Sequence, residues 1–222
     1  MMPQRSQGRS RPRLHFCPTS IFTFVPLHAA GIYSGAAGDR ECCSDYFVGS
    51  YTPSLSALER ARTTPPPLEC KTANILCVTE STAPGMPKLA NVAEEANAVR
   101  RIAASAFVND ISGTPMKAYS AVVGEVVNRL PEANILHLAC HGVQDAKDAL
   151  ESGFCLRDGR LTVSMLMNIN LPRAFLAVLG ACETAKGDFN HPDQTVHLAA
   201  TMLFCGFRSV VGTMWYDAFN SV

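Results

Sequence analysis

Two residues capable of covalent chemistry close two apolar runs in this chain. One run, Ile135-Leu136-His137-Leu138-Ala139-Cys140, ends at His141-Gly142; the other, Ala174-Phe175-Leu176-Ala177-Val178-Leu179-Gly180-Ala181, ends at Cys182-Glu183. A thiol attacks a carbonyl only as thiolate, and with an ordinary pKa of ~8.5 it needs a neighbouring base near neutrality. An imidazole supplies that base and can then protonate a leaving amine. The oxyanion formed on attack needs N–H donors, and Gly142 has no side chain to obstruct approach to its backbone. His141 and Cys182 are therefore a candidate dyad, provided that the two runs are neighbouring strands.

The elements around them predict that arrangement. A short apolar run bounded by glycine fits a buried parallel strand. From residue 74 the pattern reads as a strand over 74–79, a break at Pro84, Gly85 and Pro87, and a helix over 88–104 carrying Leu89, Val92, Ala96, Val99 and Ile102 at helical spacing. A helix over 116–129 precedes the His141 strand. A polar loop over 143–152 follows, then a hairpin turning at Asp158-Gly159 and a helix over 163–169 capped by Thr162. After the Cys182 strand come a loop over 187–193, a helix over 193–205 closed by Gly206, and a last strand over 209–215. This order predicts a mostly parallel sheet with helices on both faces, where ligands bind beyond the carboxyl ends of the strands. His141, Cys182 and the Trp215-Tyr216-Asp217 segment all fall at such ends. Upstream, residues 1–12 read as a disordered basic tail, 21–26 as a strand closed by Pro26, 34–45 as loop, 46–48 as a short strand, and Thr63 to Pro67 as a turn or stiff spacer.

Other reactive side chains have plainer readings. Cys140 adjoins His141, so in a strand it points to the opposite face and into the core. His137 reads as a satisfied interior histidine, His197 as a packing residue of its helix, and Asp158 as a turn residue. His28 and His191 fall in loops. The nine cysteines include no CxxC pair and mostly sit in apolar runs, which fits reduced thiols in a cytoplasmic protein and no metal site. The net charge of zero points to neither nucleic acid nor a membrane surface. No apolar run reaches the roughly 18 residues of a membrane helix. A length of 222 residues suits one domain with a tail.

The longer motifs carry a resemblance. His137-Leu138-Ala139-Cys140-His141-Gly142, Asp158-Gly159-Arg160-Leu161-Thr162, Ala181-Cys182-Glu183-Thr184-Ala185-Lys186-Gly187, Pro192-Asp193-Gln194-Thr195-Val196-His197-Leu198-Ala199-Ala200 and Gly206-Phe207-Arg208-Ser209-Val210-Val211-Gly212-Thr213-Met214-Trp215 occur in that order, after Pro26-Leu27-His28-Ala29-Ala30-Gly31 and Ser50-Tyr51-Thr52-Pro53-Ser54-Leu55-Ser56-Ala57-Leu58. Over residues 13–222 the chain resembles the CHAT domain, most of all its versions in filamentous fungi. The resemblance implies an α/β fold of the caspase–hemoglobinase kind: a three-layer α/β/α sandwich with a mostly parallel sheet, here shortened at its C-terminal end. It also implies a cysteine endopeptidase of the clan that holds caspases and separase, without cofactor or metal. The catalytic residues would be His141 and Cys182, and the oxyanion hole the backbone amides of Gly142 and Cys182. Asp217 would bind a basic P1 side chain, with Glu183 as a further substrate-side carboxylate. The expected partner is a protein or peptide substrate, with a tetratricopeptide or NTPase regulatory module in a longer form, and neither nucleic acid nor membrane. The alternatives are a catalytically silent caspase-like scaffold in signalling or cell death, and an acyl hydrolase or transferase using the same dyad.

Overall fold

The computed structural model describes residues 10–33, 41–63, 73–106, 121–145, 147–180 and 198–213. Their elements run β1 (Arg13–Phe16), β2 (Gly31–Ile32), β3 (Glu41–Cys42), α1 (Cys43–Tyr46), β4 (Val48–Tyr51), α2 (Leu55–Thr63), β5 (Ile75–Thr79), α3 (Val92–Ala106), α4 (Val123–Arg129), β6 (Ile135–Ala139), β7 (His141–Val143), β8 (Gly153–Cys155), β9 (Arg160–Thr162), α5 (Val163–Met167), β10 (Leu176–Leu179), α6 (Leu198–Phe204) and β11 (Ser209–Gly212). The fold is α/β.

Its centre is a four-stranded sheet in the order β11-β10-β6-β5, every pair parallel. These strands are runs of Ile, Leu, Val and Ala, the composition that suits a pleated surface covered on both sides. Alternation splits each strand between two faces. Leu76, Val78, Leu136, Leu138, Ala177, Leu179 and Val210 meet Val126 of α4, Val163 and Leu166 of α5, Leu198 and Met202 of α6, and Phe207 in one apolar core. Leu136, Leu138, Phe154, Leu161 and Leu166 are wholly buried, each contributing roughly 2 kcal/mol through burial of apolar surface. The opposite face carries Cys77, His137 and Val178 in one row across three strands, and α3 packs over β5 and β6 there.

A second, antiparallel ribbon, β7-β8-β9, leaves the carboxyl edge of this sheet. The expected hairpin at Asp158-Gly159 joins β8 to β9, and Asp158 Oδ1 accepts from the Val123 N–H at the start of α4, 2.9 Å. Thr162 caps α5 as expected, its hydroxyl accepting from Met165 N–H at 3.2 Å. Of the expected 143–152 loop, Val143 belongs to β7 and Ala149–Glu151 forms a 3-10 turn; Asp145 Oδ1 accepts from the N–H groups of Lys147 and Asp148, at 2.9 and 3.1 Å. Those two donors hold its carboxyl below the usual carboxylate range.

Three expectations need correction. Residues 21–26 are not a strand. Ser20–Phe24 and Leu27–Ala29 are two 3-10 turns; Ser20 has φ 54°, and Pro18 and Pro26 have no N–H to extend a ladder. The 34–45 loop includes structure from Glu41 on: β3 pairs with β2, and α1 begins where Asp45 accepts from Cys42 N–H at 2.8 Å. The short strand lies at Val48–Tyr51 rather than 46–48 and pairs in parallel with β1, where Phe16 packs against Phe47 and Tyr51. Residues 1–9 and 64–72 lie outside the described residues.

Candidate active site

β6 and β10 are direct parallel neighbours, with Leu138 opposite Leu179. The condition set by the two apolar runs is therefore met: the strand before His141 and the strand before Cys182 lie side by side at the middle of the sheet. Gly180 extends the pairing, its N–H donating to Leu138 O at 2.8 Å. Gly180 also has Glu95 of α3 against it, where an added Cβ would lie 2.5 Å from Glu95 Oε1. Cys182, Glu183 and Asp217 lie outside the described residues, as do His191 and His197.

His141 itself departs from expectation. It is not the last residue of the parallel strand. The chain bends at Cys140, and His141 opens β7, opposite Cys155 of β8. The bend turns the imidazole out of the sheet and leaves it partly exposed at the carboxyl edge. Gly142 follows in the same ribbon, opposite Phe154. Cys140, as expected, enters the core: it is 0 % exposed, and burial drives its thiol far above the ordinary range.

The imidazole has a defined partner. His141 Nε2 lies 2.7 Å from the backbone carbonyl oxygen of Pro87. A carbonyl oxygen can only accept, so Nε2 carries the proton. In the neutral ring Nδ1 is then the unprotonated nitrogen, the form a general base needs. Pro87 belongs to a closed loop after β5, where Leu89 N–H returns to Ser81 O and Met86 N–H to Ala83 O, both at 3.0 Å. Gly85 turns this loop with φ 76°, a conformation that other residues adopt only with strain. In the sequence Pro84, Gly85 and Pro87 read as a chain break only. A main-chain carbonyl has no residue-type signature, so its role became visible only through the fold.

The other histidine on this strand is of another kind. His137 is 4 % exposed, and its Nε2 stands 3.1 Å from Glu95 Oε1. The approach is off the hydrogen-bonding direction, so the nitrogen has no aligned acceptor among the described residues. The expectation of a satisfied interior histidine holds for its burial and not for its hydrogen bonding. Its neighbour in register is Cys77, whose thiol burial pushes up to about 11. Burial does the same to Cys205, about 11, and also raises Cys155, with Arg160 beside it acting the other way. The described cysteines are free thiols. Among the described residues no group of His, Cys, Asp and Glu could hold a metal, and no helix is long and apolar enough to cross a membrane.

The model of the CHAT domain matches residues 1–216. The chain belongs to the CHAT domain family. CHAT domains are caspase-like and related to cysteine peptidases. Comparison with curated proteins returned no match. Within the CHAT domain, the adjacency of β6 and β10 and the fixed tautomer of His141 are the features on which a peptidase reading rests.

Proposed function

We propose that this CHAT domain is a cysteine endopeptidase in which Cys182 is the nucleophile and His141 the general base and acid, on a sandwich of the caspase–hemoglobinase kind. The observation that supports this most is the 2.7 Å contact from His141 Nε2 to Pro87 O, which leaves Nδ1 able to take a proton. Nδ1 accepts the Cys182 thiol proton and the sulfur attacks the substrate carbonyl carbon, forming a C–S bond and an oxyanion. Backbone N–H groups of Gly142 and Cys182 receive that charge, each worth roughly 3 kcal/mol in the transition state. The C–N bond breaks as Nδ1–H protonates the departing amine. Water, deprotonated by the same nitrogen, then cleaves the thioester and restores the thiol. Asp217 and Glu183 are proposed as the carboxylates that favour a basic side chain before the cleaved bond. Substrates are proteins or peptides, and a tetratricopeptide or NTPase module would regulate a longer form. Free thiols on the described residues suit a reducing, cytoplasmic setting.

The test is hydrolysis of fluorogenic peptides that differ only at P1. Cleavage after Arg or Lys, lost in Cys182→Ala, is the expected result. Absence of peptide and protein cleavage by folded wild type, or equal cleavage by Cys182→Ala, would overturn the reading.

A further inference from the structure

Glu80 is a carboxylate buried to 3 % exposure at the carboxyl edge of the sheet, and the mechanism above does not use it. A buried charge is expensive unless paired and hydrogen-bonded. Its partners come from three segments of the chain. Oε1 accepts from Thr82 N–H at 2.7 Å and from Thr82 Oγ1–H at 3.1 Å. Oε2 lies 3.5 Å from Arg157 Nε, in the turn between β8 and β9. Its own N–H donates to Ala139 O at 2.9 Å, one residue before the bend that leads to His141.

These contacts fasten the first arm of the 81–89 loop to both sheets at once. The second arm of that loop presents Pro87 O to His141. Between the arms two backbone hydrogen bonds among the described residues, Leu89 to Ser81 and Met86 to Ala83, maintain the closure. The position of the Pro87 carbonyl relative to the ring is therefore set at the base of the loop, where the Glu80 carboxylate holds Thr82 and Arg157 and its backbone N–H holds Ala139. We infer that Glu80 is the positioning residue for the catalytic histidine: its carboxylate fixes the loop that fixes the Nε2–H tautomer of His141. Only the catalytic role of His141 rests on the peptidase reading; the effect on the ring is argued from the contacts of Glu80 and Pro87.

The test reads the ring directly, by nitrogen NMR of protein labelled at the histidine side chains, alongside kcat/KM on the best peptide. Wild-type neutral His141 is expected in the Nε2–H tautomer. Glu80→Ala should give a mixture of the two tautomers and a kcat loss of about 10- to 100-fold, the range for a misplaced reacting group. Glu80→Gln, whose amide oxygen can still accept from Thr82 N–H, should keep the tautomer and most of kcat. Thr82→Val, which removes one of the two donors to Oε1, should shift the tautomer in the same direction as Glu80→Ala by less. A wild-type tautomer in folded Glu80→Ala overturns the inference. If Glu80→Ala does not fold, an unchanged tautomer in Thr82→Val overturns it equally. Equal kcat losses in Glu80→Gln and Glu80→Ala without any tautomer change mark a general loss of structure and also overturn it. A tautomer that shifts as expected in a protein with no peptidase activity sustains the inference and removes the peptidase reading instead.

Discussion

His137 and His141 lie four residues apart on one short stretch of chain, yet their surroundings differ. His137 is mid-strand, covered by α3, with Glu95 at 3.1 Å and Cys77 in register beside it. Burial pushes that thiol up to about 11, so it stays protonated at physiological pH and inert. His141 lies past a bend at the sheet edge, partly exposed, with one nitrogen committed to a backbone carbonyl. The same two residue types thus make a packed pair in the middle of the sheet and a candidate reactive pair at its end. Burial and the available hydrogen-bond partners separate them; residue identity does not.

The largest effect that tests this contrast is on activity. His141→Ala and Cys182→Ala should each lower kcat/KM on a cleavable peptide by at least ~10³-fold, as removal of a member of a nucleophile–base pair does. Cys77→Ala should leave it within about 2-fold. A large loss in Cys77→Ala with normal folding would erase the distinction between the two pairs. Next comes stability. His137→Ala should cost roughly 2–3 kcal/mol in urea unfolding, through the cavity it leaves, and His141→Ala less than about 1, since it is partly exposed.

Gly180 sharpens the same boundary. An added methyl there would meet Glu95 Oε1 at 2.5 Å, so Gly180→Ala must push the carboxylate aside. A destabilisation of about 1–2 kcal/mol is expected, and Glu95→Ala should relieve most of it in a double-mutant cycle. Additive losses in the cycle would show that the two do not meet. The smallest effect is alkaline. Cys77 and Cys205 are raised from about 9 to about 11 by burial, so the folded chain holds their protons more tightly than the unfolded one. Their contribution to stability is complete below about pH 9 and falls away as pH rises through 11. Cys77→Ala should flatten that decline in urea midpoints measured from pH 8 to 11.

Much of the sheet is legible in the chain because the Ile, Leu and Val runs at 75–79, 176–179 and 209–212 end at glycine or polar residues and the run from Ile135 shows where β6 begins. Thr162, Asp158-Gly159 and Gly206 carry local turn and cap chemistry that reads equally well. The change of sheet at Cys140 does not read, because the apolar run continues without a break into His141 and hydrophobicity cannot tell a strand's end from its bend. The start of α3 is displaced for a related reason: Leu89 has the right spacing, but Pro87 and the loop closure from Leu89 to Ser81 delay the helix until Val92. At the site, the reactive side chains are visible as residue types. The Pro87 carbonyl and the Glu80 anchor are not, since one is main chain and the other is an acid next to a threonine, indistinguishable from a solvated loop until the fold buries it.

Labelling reads most directly whether Cys182 is a reactive thiol served by His141. The folded chain is treated with a peptidyl acyloxymethyl ketone carrying a basic P1 residue, and the modified cysteine is found by mass spectrometry. Modification at Cys182 alone is expected, with Cys77, Cys140, Cys155 and Cys205 untouched, and loss of labelling in His141→Ala. No modification of Cys182, a label on Cys155 opposite His141, or labelling of His141→Ala at the wild-type rate would contradict it.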